Sequence, residues 1–272
     1  MLIIDHKLYL RRNKPVSYLA SPNHGGQLDC KFLVFHYTAS TEASALQWFQ
    51  SRESQVSAHI LINRKGQITQ LVPLDKVAWH AGRSFWKGFA MLNYYAIGIE
   101  FENAGQLLQN GRSWRSWYGA SVPKRQVIEA VHKHDSMLSG WHKFTKPQLK
   151  TARKVAEVLM ETYPIREIIG HDDIAPHRKL DPGPAFPMKD FQKAFTLEKA
   201  PLSTNYSCTA PLNIRSGPGT TFMCIIPEAL PKNTQVVVLE EHQNWGYVKV
   251  IGRVNGDDDI QGWVHRHYLK KL

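Results

Sequence analysis

The sequence of 272 residues is long enough for one large domain and a smaller second one. Its 43% hydrophobic and 21% charged residues are ordinary for a globular protein and argue against a disordered chain. The formal net charge of +11 indicates an acidic partner, but the lysines and arginines are scattered with no basic, aromatic-rich run, so we expect no nucleic-acid binding.

The start of the chain and its apolar runs bear on whether it carries a signal peptide or a transmembrane segment. Charge appears already at Asp5, before any apolar stretch of the ~7–15 residues that a signal peptide needs, so we expect no signal peptide. No apolar run approaches ~18 residues, so we expect no transmembrane segment. The three cysteines form no metal-like pair, and their odd number predicts no disulfide framework.

Apolar strands and amphipathic helices alternate through the first 195 residues. The pattern predicts strands at 31–38, 57–63, 67–72, 95–102 and 165–169. It also predicts a helix through Trp48 and Phe49, with cap candidates among residues 39–45, and a second helix that Thr145 caps. The segments 57–63 and 67–72 flank a turn and predict a hairpin. Strands separated by helices, together with a hairpin, predict an α/β domain with a central mixed β-sheet flanked by helices.

Two further regions break this pattern. Residues 104–143 lack clear periodicity and are rich in aromatic residues, so we interpret them as an insertion of loop and short helix that walls a groove. Beyond Phe195 the chain shows short β runs broken by proline, glycine and asparagine, with no helical period. Residues 203–272 therefore predict a small all-β barrel.

Candidate metal ligands lie at strand ends. His36 stands where the strand 31–38 loses its apolar character, and His171 stands in the same relation to the strand 165–169. Asp181 follows His171 across a loop that prolines stiffen. Two neutral imidazoles and one carboxylate leave the fourth position of a zinc ion open for water, as hydrolysis requires.

Two other residues are candidates for the chemistry. Glu100 directly follows an apolar run, which suits a general base, whereas Glu102 fits a solvated strand end better. Lys179 lies between His171 and Asp181 in sequence, so its ammonium could stabilise an oxyanion, although a surface lysine in a basic protein is the simpler alternative.

Five segments in order carry a resemblance. The chain resembles the zinc-dependent N-acetylmuramoyl-L-alanine amidases of type 2, which share their fold with peptidoglycan recognition proteins. The matching segments are Val34–Thr38, Val56–Ile62, Ala78–Gly82, Ala96–Glu100 and residues 170–186.

This resemblance implies a function and a role for each site residue. It implies a zinc ion held by His36, His171 and Asp181. It further implies that Glu100 is the general base, that Lys179 stabilises the transition state, and that Trp79, His80 and His59 bind or approach the substrate. The implied reaction is hydrolysis of the amide between the lactyl group of N-acetylmuramic acid and the L-alanine of the stem peptide in peptidoglycan.

The C-terminal region has its own resemblance. The segments Leu212–Gly219, Trp245–Val250 and Gly262–Val264 resemble bacterial SH3-like (SH3b) domains, which implies cell-wall binding. We therefore predict a zinc amidase catalytic domain at 1–198, a wall-binding domain at 203–272 and a monomeric protein. For Trp263 we expect a place in the barrel core.

Two alternative functions stay open at this stage, a non-catalytic peptidoglycan-binding module and a nucleic-acid-binding protein that only the net charge suggests. A non-catalytic peptidoglycan-binding module could share the fold, but it would be expected to lack a ligand, the base or the lysine. The expected location is cytoplasmic synthesis, followed either by action on the wall, through phage lysis or non-classical export, or by cytoplasmic recycling of wall fragments. A wall-binding domain favours action on the polymer, because soluble fragments need no tether.

Overall fold

The computed structural model describes residues 1–10, 14–195, 205–258 and 260–272. The chain forms two compact units, residues 1–84 with 91–196 and residues 85–90 with 197–272. The predicted domain boundaries at 198 and 203 lie outside the described residues. Residues 85–90 belong to the second unit, although the prediction placed them in the first domain.

The described elements are as follows in chain order. The strands through residue 170 are β1 (Leu2–Ile4), β2 (Lys7–Leu10), β3 (Lys14–Pro15), β4 (Ser17–Tyr18), β5 (His24–Gln27), β6 (Phe32–Tyr37), β7 (Ile60–Ile62), β8 (Ile68–Gln70), β9 (Lys76–Ala78), β10 (Phe85–Trp86), β11 (Phe89–Ala90), β12 (Ala96–Phe101), β13 (Gln106–Asn110), β14 (Ser113–Arg115), β15 (Ser121–Val122), β16 (Val127–Val131), β17 (Leu138–His142) and β18 (Glu167–Gly170). The helices are α1 (Glu42–Gln50), α2 (Lys146–Thr162), α3 (His171–Ile174) and α4 (Met188–Phe195). The later strands are β19 (Asn205–Cys208), β20 (Gln235–His242), β21 (Trp245–Val250), β22 (Gln261–His265) and β23 (Leu269–Lys271).

A six-stranded sheet forms the centre of the first unit, in the order β18-β6-β12-β7-β8-β4. Strands β18, β6, β12 and β7 run parallel, β8 is antiparallel to β7, and β4 runs parallel to β8. The predicted mixed sheet is therefore confirmed. Because β18, β6 and β12 are parallel neighbours, the residues at their carboxyl ends lie side by side.

Successive residues of the central strands pack into two different apolar clusters. On one face, Phe35 and Ile99 pack with helix α2 and with Phe191 of helix α4. On the other face, Leu61 packs with Ala45 and Phe49 of helix α1. Side chains alternate across a strand, so His36 and Glu100 point away from the face that helix α2 covers.

Helix α1 begins within the predicted range of cap candidates, and helix α2 begins after Thr145 as predicted. Thr41 caps α1 by accepting a hydrogen bond from the Ser44 N–H, and Thr145 caps α2 in a capping box with Gln148. Pro147 lies in the first turn of α2, where its missing N–H costs nothing. Within the described part of the chain, no helix is both long and apolar enough to cross a membrane.

The insertion at 104–143 differs from its prediction. It forms a five-stranded antiparallel sheet in the order β15-β14-β13-β17-β16, and its helical content in the described chain is a single 3-10 turn at Lys124–Gln126. The prediction of loop and short helix was wrong because these strands are two to five residues long and bury mainly one face. Short half-buried strands give no continuous apolar run.

The second unit is built from β-strands. Its sheet has the order β22-β21-β20-β19-β23 with antiparallel neighbours, and strands β10 and β11 pair as a separate hairpin. Trp263 is fully buried, as predicted, and its indole N–H donates a hydrogen bond of 2.9 Å to the Lys87 carbonyl. The apolar core of the second unit consists mainly of aliphatic residues such as Val236, Val248 and Ile214.

Candidate metal and catalytic site

The three predicted metal ligands meet at one edge of the central sheet. His36 lies near the end of β6, and His171 is the first residue after β18. The register pairs Gly170 of β18 with Phe35 of β6, so the two histidines follow at neighbouring positions. Asp181 approaches them from the loop after helix α3, where its backbone carbonyl accepts a 2.8 Å hydrogen bond from the Asp172 N–H.

The donor atoms of these three residues form a compact triangle. His36 Nδ1, His171 Nδ1 and Asp181 Oδ2 are each 2.9 Å from the other two. All three side chains are buried, and the three residues form a group that could hold a metal ion. A tetrahedral ion with bonds of ~2.0–2.2 Å would hold such donors roughly 3.3 Å apart, close to the spacing found.

The charge state of these donors suits a cation. Burial lowers the pKa of His36 to about 4, and the nearby His171 contributes to this lowering. The His36 ring is therefore neutral at neutral pH. Burial on its own would raise the pKa of Asp181, but the adjacent His171 and His36 rings outweigh it and hold that pKa well below its usual range. A metal ion needs deprotonated ligands, and His36 and Asp181 provide them.

Glu100 stands beside this triangle. Strand β12 pairs with β6 so that Glu100 is opposite His36. Its Oε2 atom is buried and has no hydrogen-bond partner among the described residues. Burial raises the pKa of this carboxyl to about 8, the negative charge of Asp181 adds to the rise, and the Lys179 ammonium opposes it.

A cavity of about 620 Å³ brings the remaining candidates together. Its lining includes Glu100, His171, Lys179 and Asp181, so the predicted base and lysine share one space with two of the ligands. Lys179 is held at this wall by a 3.0 Å hydrogen bond from its N–H to the Ala175 carbonyl. The cavity is large enough for several atoms of a substrate around the ligand triangle.

The residues predicted to bind substrate have different surroundings. Trp79 and His80 line the cavity. His59 is fully buried: its Nδ1 accepts a 3.0 Å hydrogen bond from the Gly98 N–H, and its Nε2 lies 2.8 Å from the Lys76 carbonyl. Both ring nitrogens of His59 are thus used by backbone groups, and in this structure the ring has none left for a ligand.

Glu102 has a structural role. Its two carboxylate oxygens accept hydrogen bonds from the Glu42 N–H at 3.2 Å and from the Arg64 N–H at 2.8 Å. The carboxylate therefore lies at the N-terminus of helix α1, where a negative charge is stabilising. This separates it from Glu100, as the sequence suggested, although its partners are backbone amides and not water alone.

Two exposed tryptophans of the cavity wall were not predicted as site residues. Trp48 of helix α1 and Trp117 of the inserted sheet both line the cavity, with 58% and 66% of their surface exposed. The Trp117 indole N–H donates a hydrogen bond to the Ala39 carbonyl. The concentration of aromatic residues in the insertion was the available signal, and it did indicate a groove wall.

Comparisons with known proteins add to this geometry. The family model described as N-acetylmuramoyl-L-alanine amidase matches residues 26–184. The chain is 35% identical over 164 residues to N-acetylmuramoyl-L-alanine amidase AmiD of Escherichia coli, which covers 58% of this chain and 50% of AmiD. It is 33% identical over 159 residues to the 1,6-anhydro-N-acetylmuramyl-L-alanine amidase AmpD of Escherichia coli, covering 57% of this chain and 68% of AmpD.

Two solved structures are similar to part of the chain. A selenomethionine derivative of AmpD has a TM-score of 0.47 with 27% identity, covering 71% of this chain and 98% of AmpD. The Escherichia coli AmiD structure, a complex with anhydro-N-acetylmuramic acid-L-Ala-D-γ-Glu-L-Lys, has a TM-score of 0.47 with 32% identity and covers 62% of this chain and 58% of AmiD. The matched region thus spans about half of the AmiD sequence.

Proposed function

Because this chain belongs to the N-acetylmuramoyl-L-alanine amidase family, we propose that it is a peptidoglycan hydrolase. Its substrate bond would be the amide between the lactyl group of N-acetylmuramic acid and the L-alanine of the stem peptide. One observation carries the proposal: two members of a triangle of possible metal ligands line the same cavity as a lysine and as Glu100, whose buried Oε2 has no hydrogen-bond partner among the described residues. That combination suits hydrolysis of an unactivated amide better than binding alone.

The donor set fits zinc. Two imidazole nitrogens and one carboxylate oxygen, buried and 2.9 Å apart, are ligands typical of a catalytic zinc site with an open fourth position. His36, His171 and Asp181 would hold the ion. When bound, zinc would polarise the substrate carbonyl and lower the pKa of water toward ~7.

Glu100 would act as the general base. A carboxyl with a raised pKa is a stronger base than an ordinary one, and its Oε2 has no competing hydrogen bond among the described residues. We infer that Glu100 accepts a proton from the attacking water and returns it to the leaving amine of L-alanine. The pairing of Glu100 with His36 on neighbouring strands supports this role.

Lys179 would stabilise the negative charge that develops on the carbonyl oxygen. It shares the cavity with Glu100, and its ammonium influences the pKa of that carboxyl. A fixed positive charge in a partly enclosed site stabilises an oxyanion more than the same charge in bulk water. This assigns Lys179 a role that a surface lysine would lack.

We also propose that the second unit is an SH3b-like domain that binds the bacterial cell wall. Its five antiparallel strands and aliphatic core support this, together with the sequence resemblance at 212–219, 245–250 and 262–264. A wall-binding domain would raise the effective concentration of the catalytic unit at polymeric peptidoglycan. The net charge of +11 would favour a surface rich in anionic groups.

Digestion of purified peptidoglycan tests the catalytic proposal. Wild-type and Glu100→Ala proteins would be compared with and without a chelator, and the soluble products would be identified by mass. We expect intact stem peptides from the zinc-loaded wild type only. Disaccharide products, or equal release by Glu100→Ala, would contradict the proposal. Binding of peptidoglycan without any release would instead favour the non-catalytic module.

A further inference from the structure

His80 lies between a metal ligand and the backbone of the central sheet. Its Nδ1 atom is 3.1 Å from His36 Nε2, and its Nε2 atom is 3.1 Å from the Ala96 carbonyl oxygen. The rings of His36 and His80 meet edge to face, with centroids 5.1 Å apart. His80 therefore contacts the nitrogen of His36 that faces away from Asp181 and His171.

The contact of His80 with the Ala96 carbonyl determines which ring nitrogens of His80 and His36 carry a proton. A carbonyl oxygen can only accept, so the proton of a neutral His80 ring must be on Nε2, where it is donated to Ala96. The bare Nδ1 of His80 then accepts the Nε2–H of His36. A neutral His36 with its proton on Nε2 has its lone pair on Nδ1, which is the atom 2.9 Å from His171 Nδ1 and Asp181 Oδ2.

We propose that His80 is a positioning residue, which holds His36 in the tautomer and orientation that present Nδ1 to the metal. The inference rests on the proposed function, and it replaces the substrate contact that the family resemblance implied for His80. Both ring nitrogens of His80 are engaged, so a hydrogen bond to a substrate would require breaking this chain of contacts. Partners of this kind orient a ligand ring and raise its basicity.

Gly98 provides the space in which His80 sits. A Cβ atom added at this position of strand β12 would lie 2.5 Å from His80 Cγ and 2.7 Å from its Nδ1. The Gly98 N–H meanwhile donates to His59 Nδ1, and the His59 and His80 rings are 5.7 Å apart. The sheet therefore seats the His80 ring at a place where only glycine leaves enough room.

A backbone carbonyl orients the second histidine, His171. His171 Nε2 is 3.2 Å from the carbonyl of Ala81, the residue that follows His80. A proton donated there leaves His171 Nδ1 bare and directed at the metal position. The segment His80–Ala81 thus orients both histidine ligands, one through a side chain and one through the backbone.

Zinc affinity provides a test that does not depend on activity. The full-length protein would be stripped of metal and its zinc Kd measured by competition with a chromophoric chelator, for wild type, His80→Phe and His80→Asn. We expect His80→Phe, which keeps a ring but has no acceptor, to weaken zinc binding by about 10–100-fold. His80→Asn offers an oxygen to His36 Nε2–H and should recover part of the loss.

Trp79→Phe is the matched control, because Trp79 also lines the cavity but is not a neighbour of His36 in the hydrogen-bond chain. It should leave the zinc Kd unchanged. If His80 instead contacts substrate, His80→Phe will raise KM and leave the zinc Kd at the wild-type value, and that result would overturn the inference. The amidase function would then still stand on stem-peptide release by the wild type.

A measurement on the wild type covers the case in which His80→Phe folds poorly. Nitrogen-15 NMR of the zinc-loaded protein would report which ring nitrogen of His36 carries the proton and whether His80 Nδ1 accepts it. We expect Nε2. A proton on Nδ1 would contradict the inference, whatever the variants do. Gly98→Ala, which displaces the His80 ring, should weaken zinc binding as His80→Phe does, and the two changes together should not be additive. Wild-type protein that binds zinc with this tautomer but releases no stem peptide would contradict the proposed function alone.

Discussion

Lys133 Nζ lies 2.9 Å from Oδ1 of Asp172, a buried carboxylate directly beside the candidate metal ligand His171. His132 approaches the other oxygen of the same carboxylate at 3.1 Å. Lys133 and His132 follow strand β16 of the inserted sheet, and the Asp172 N–H donates to the Asp181 carbonyl. The insertion therefore holds the segment that carries two of the three candidate metal ligands.

Lys133→Met should loosen this segment. Asp172 would keep a buried carboxylate but lose a charged partner, and burial already raises its pKa. Since the lysine side chain is 41% exposed, we expect a modest loss of about 1–2 kcal/mol in the free energy of unfolding. Zinc affinity should also fall several-fold, because the loop bearing Asp181 is less well ordered. Urea unfolding of the metal-free protein and chelator competition measure the two effects.

Lys124→Met is the control for charge, since Lys124 is an exposed lysine of the same insertion. The substitution also removes one positive charge, but Lys124 makes no hydrogen bond to Asp172. It should therefore change neither the free energy of unfolding nor the zinc affinity. Equal effects of the two substitutions would show that net charge, and not the contact with Asp172, is responsible.

The sequence predicts the central sheet and its ligands because these depend on local patterns. Strands β6, β12 and β18 each contain an apolar run, and His36, Glu100 and His171 lie at or just beyond the end of these strands. Parallel strands bring such ends together. The positions of His36, His171 and Glu100 follow from this rule. Their roles in metal binding and proton transfer remain proposals.

The remaining features depend on contacts between distant residues. The role of His80 requires the Ala96 carbonyl and the missing side chain of Gly98, which no spacing in the sequence links. In the insertion, a Cβ at Gly140 would lie 2.4 Å from the Trp114 ring, so the sheet depends on a pairing between residues 26 positions apart (140 − 114). Short strands with such pairings have no helical or alternating signal strong enough to read.

Glu100→Gln should stabilise the metal-free protein at alkaline pH while abolishing amide hydrolysis. The folded protein keeps a proton on Glu100 up to about pH 8, whereas the unfolded chain loses it near its ordinary pKa of 4.5. Unfolding therefore releases a proton between these values, and this residue makes stability fall as pH rises through that window. Glutamine has no such proton.

The expected difference between Glu100→Gln and wild type is near zero at pH 4. It grows to a few kcal/mol at pH 8.5, with roughly 5 kcal/mol as the upper limit for a rise of about 3.5 pKa units. Urea midpoints of both metal-free proteins across this range measure it. The buried histidines also make the free energy of unfolding decrease as pH falls, but they do so equally in both proteins. Subtracting the wild-type value from the Glu100→Gln value therefore cancels their contribution. A constant difference at all pH values would contradict the raised pKa.

Lys179→Met should change the pH dependence of the reaction as well as its rate. The lysine ammonium lowers the pKa of Glu100, so its removal raises that pKa. Because the base must be ionised to accept a proton, the acidic limb of the kcat/KM profile should move to higher pH. Loss of oxyanion stabilisation should also lower kcat by about 10²–10³-fold. Lys179→Arg keeps the positive charge and should leave the acidic limb in place. An unshifted acidic limb in Lys179→Met would contradict an effect of the Lys179 charge on the pKa of Glu100.

Trp117→Ala should weaken substrate binding and leave the chemistry intact. The indole lines the cavity with 66% of its surface exposed, and its hydrogen bond to the Ala39 carbonyl fixes it there before substrate arrives. A pre-oriented aromatic face that becomes covered contributes about 1–2 kcal/mol, which corresponds to a rise in KM of about 5–30-fold. The value of kcat should change little, because Trp117 is not among the groups at the ligand triangle.

Tyr118→Ala is the matched control for Trp117. Its ring contacts Trp117 edge to face, with centroids 5.9 Å apart, but Tyr118 is not among the described residues that line the cavity. Its removal should leave KM for a muropeptide close to the wild-type value. If Trp117→Ala lowers kcat and zinc affinity while KM is unchanged, the inserted sheet serves only to hold the ligand loop through Asp172. A rise in KM confined to Trp117→Ala would show that the insertion both supports the metal site and forms part of the substrate surface.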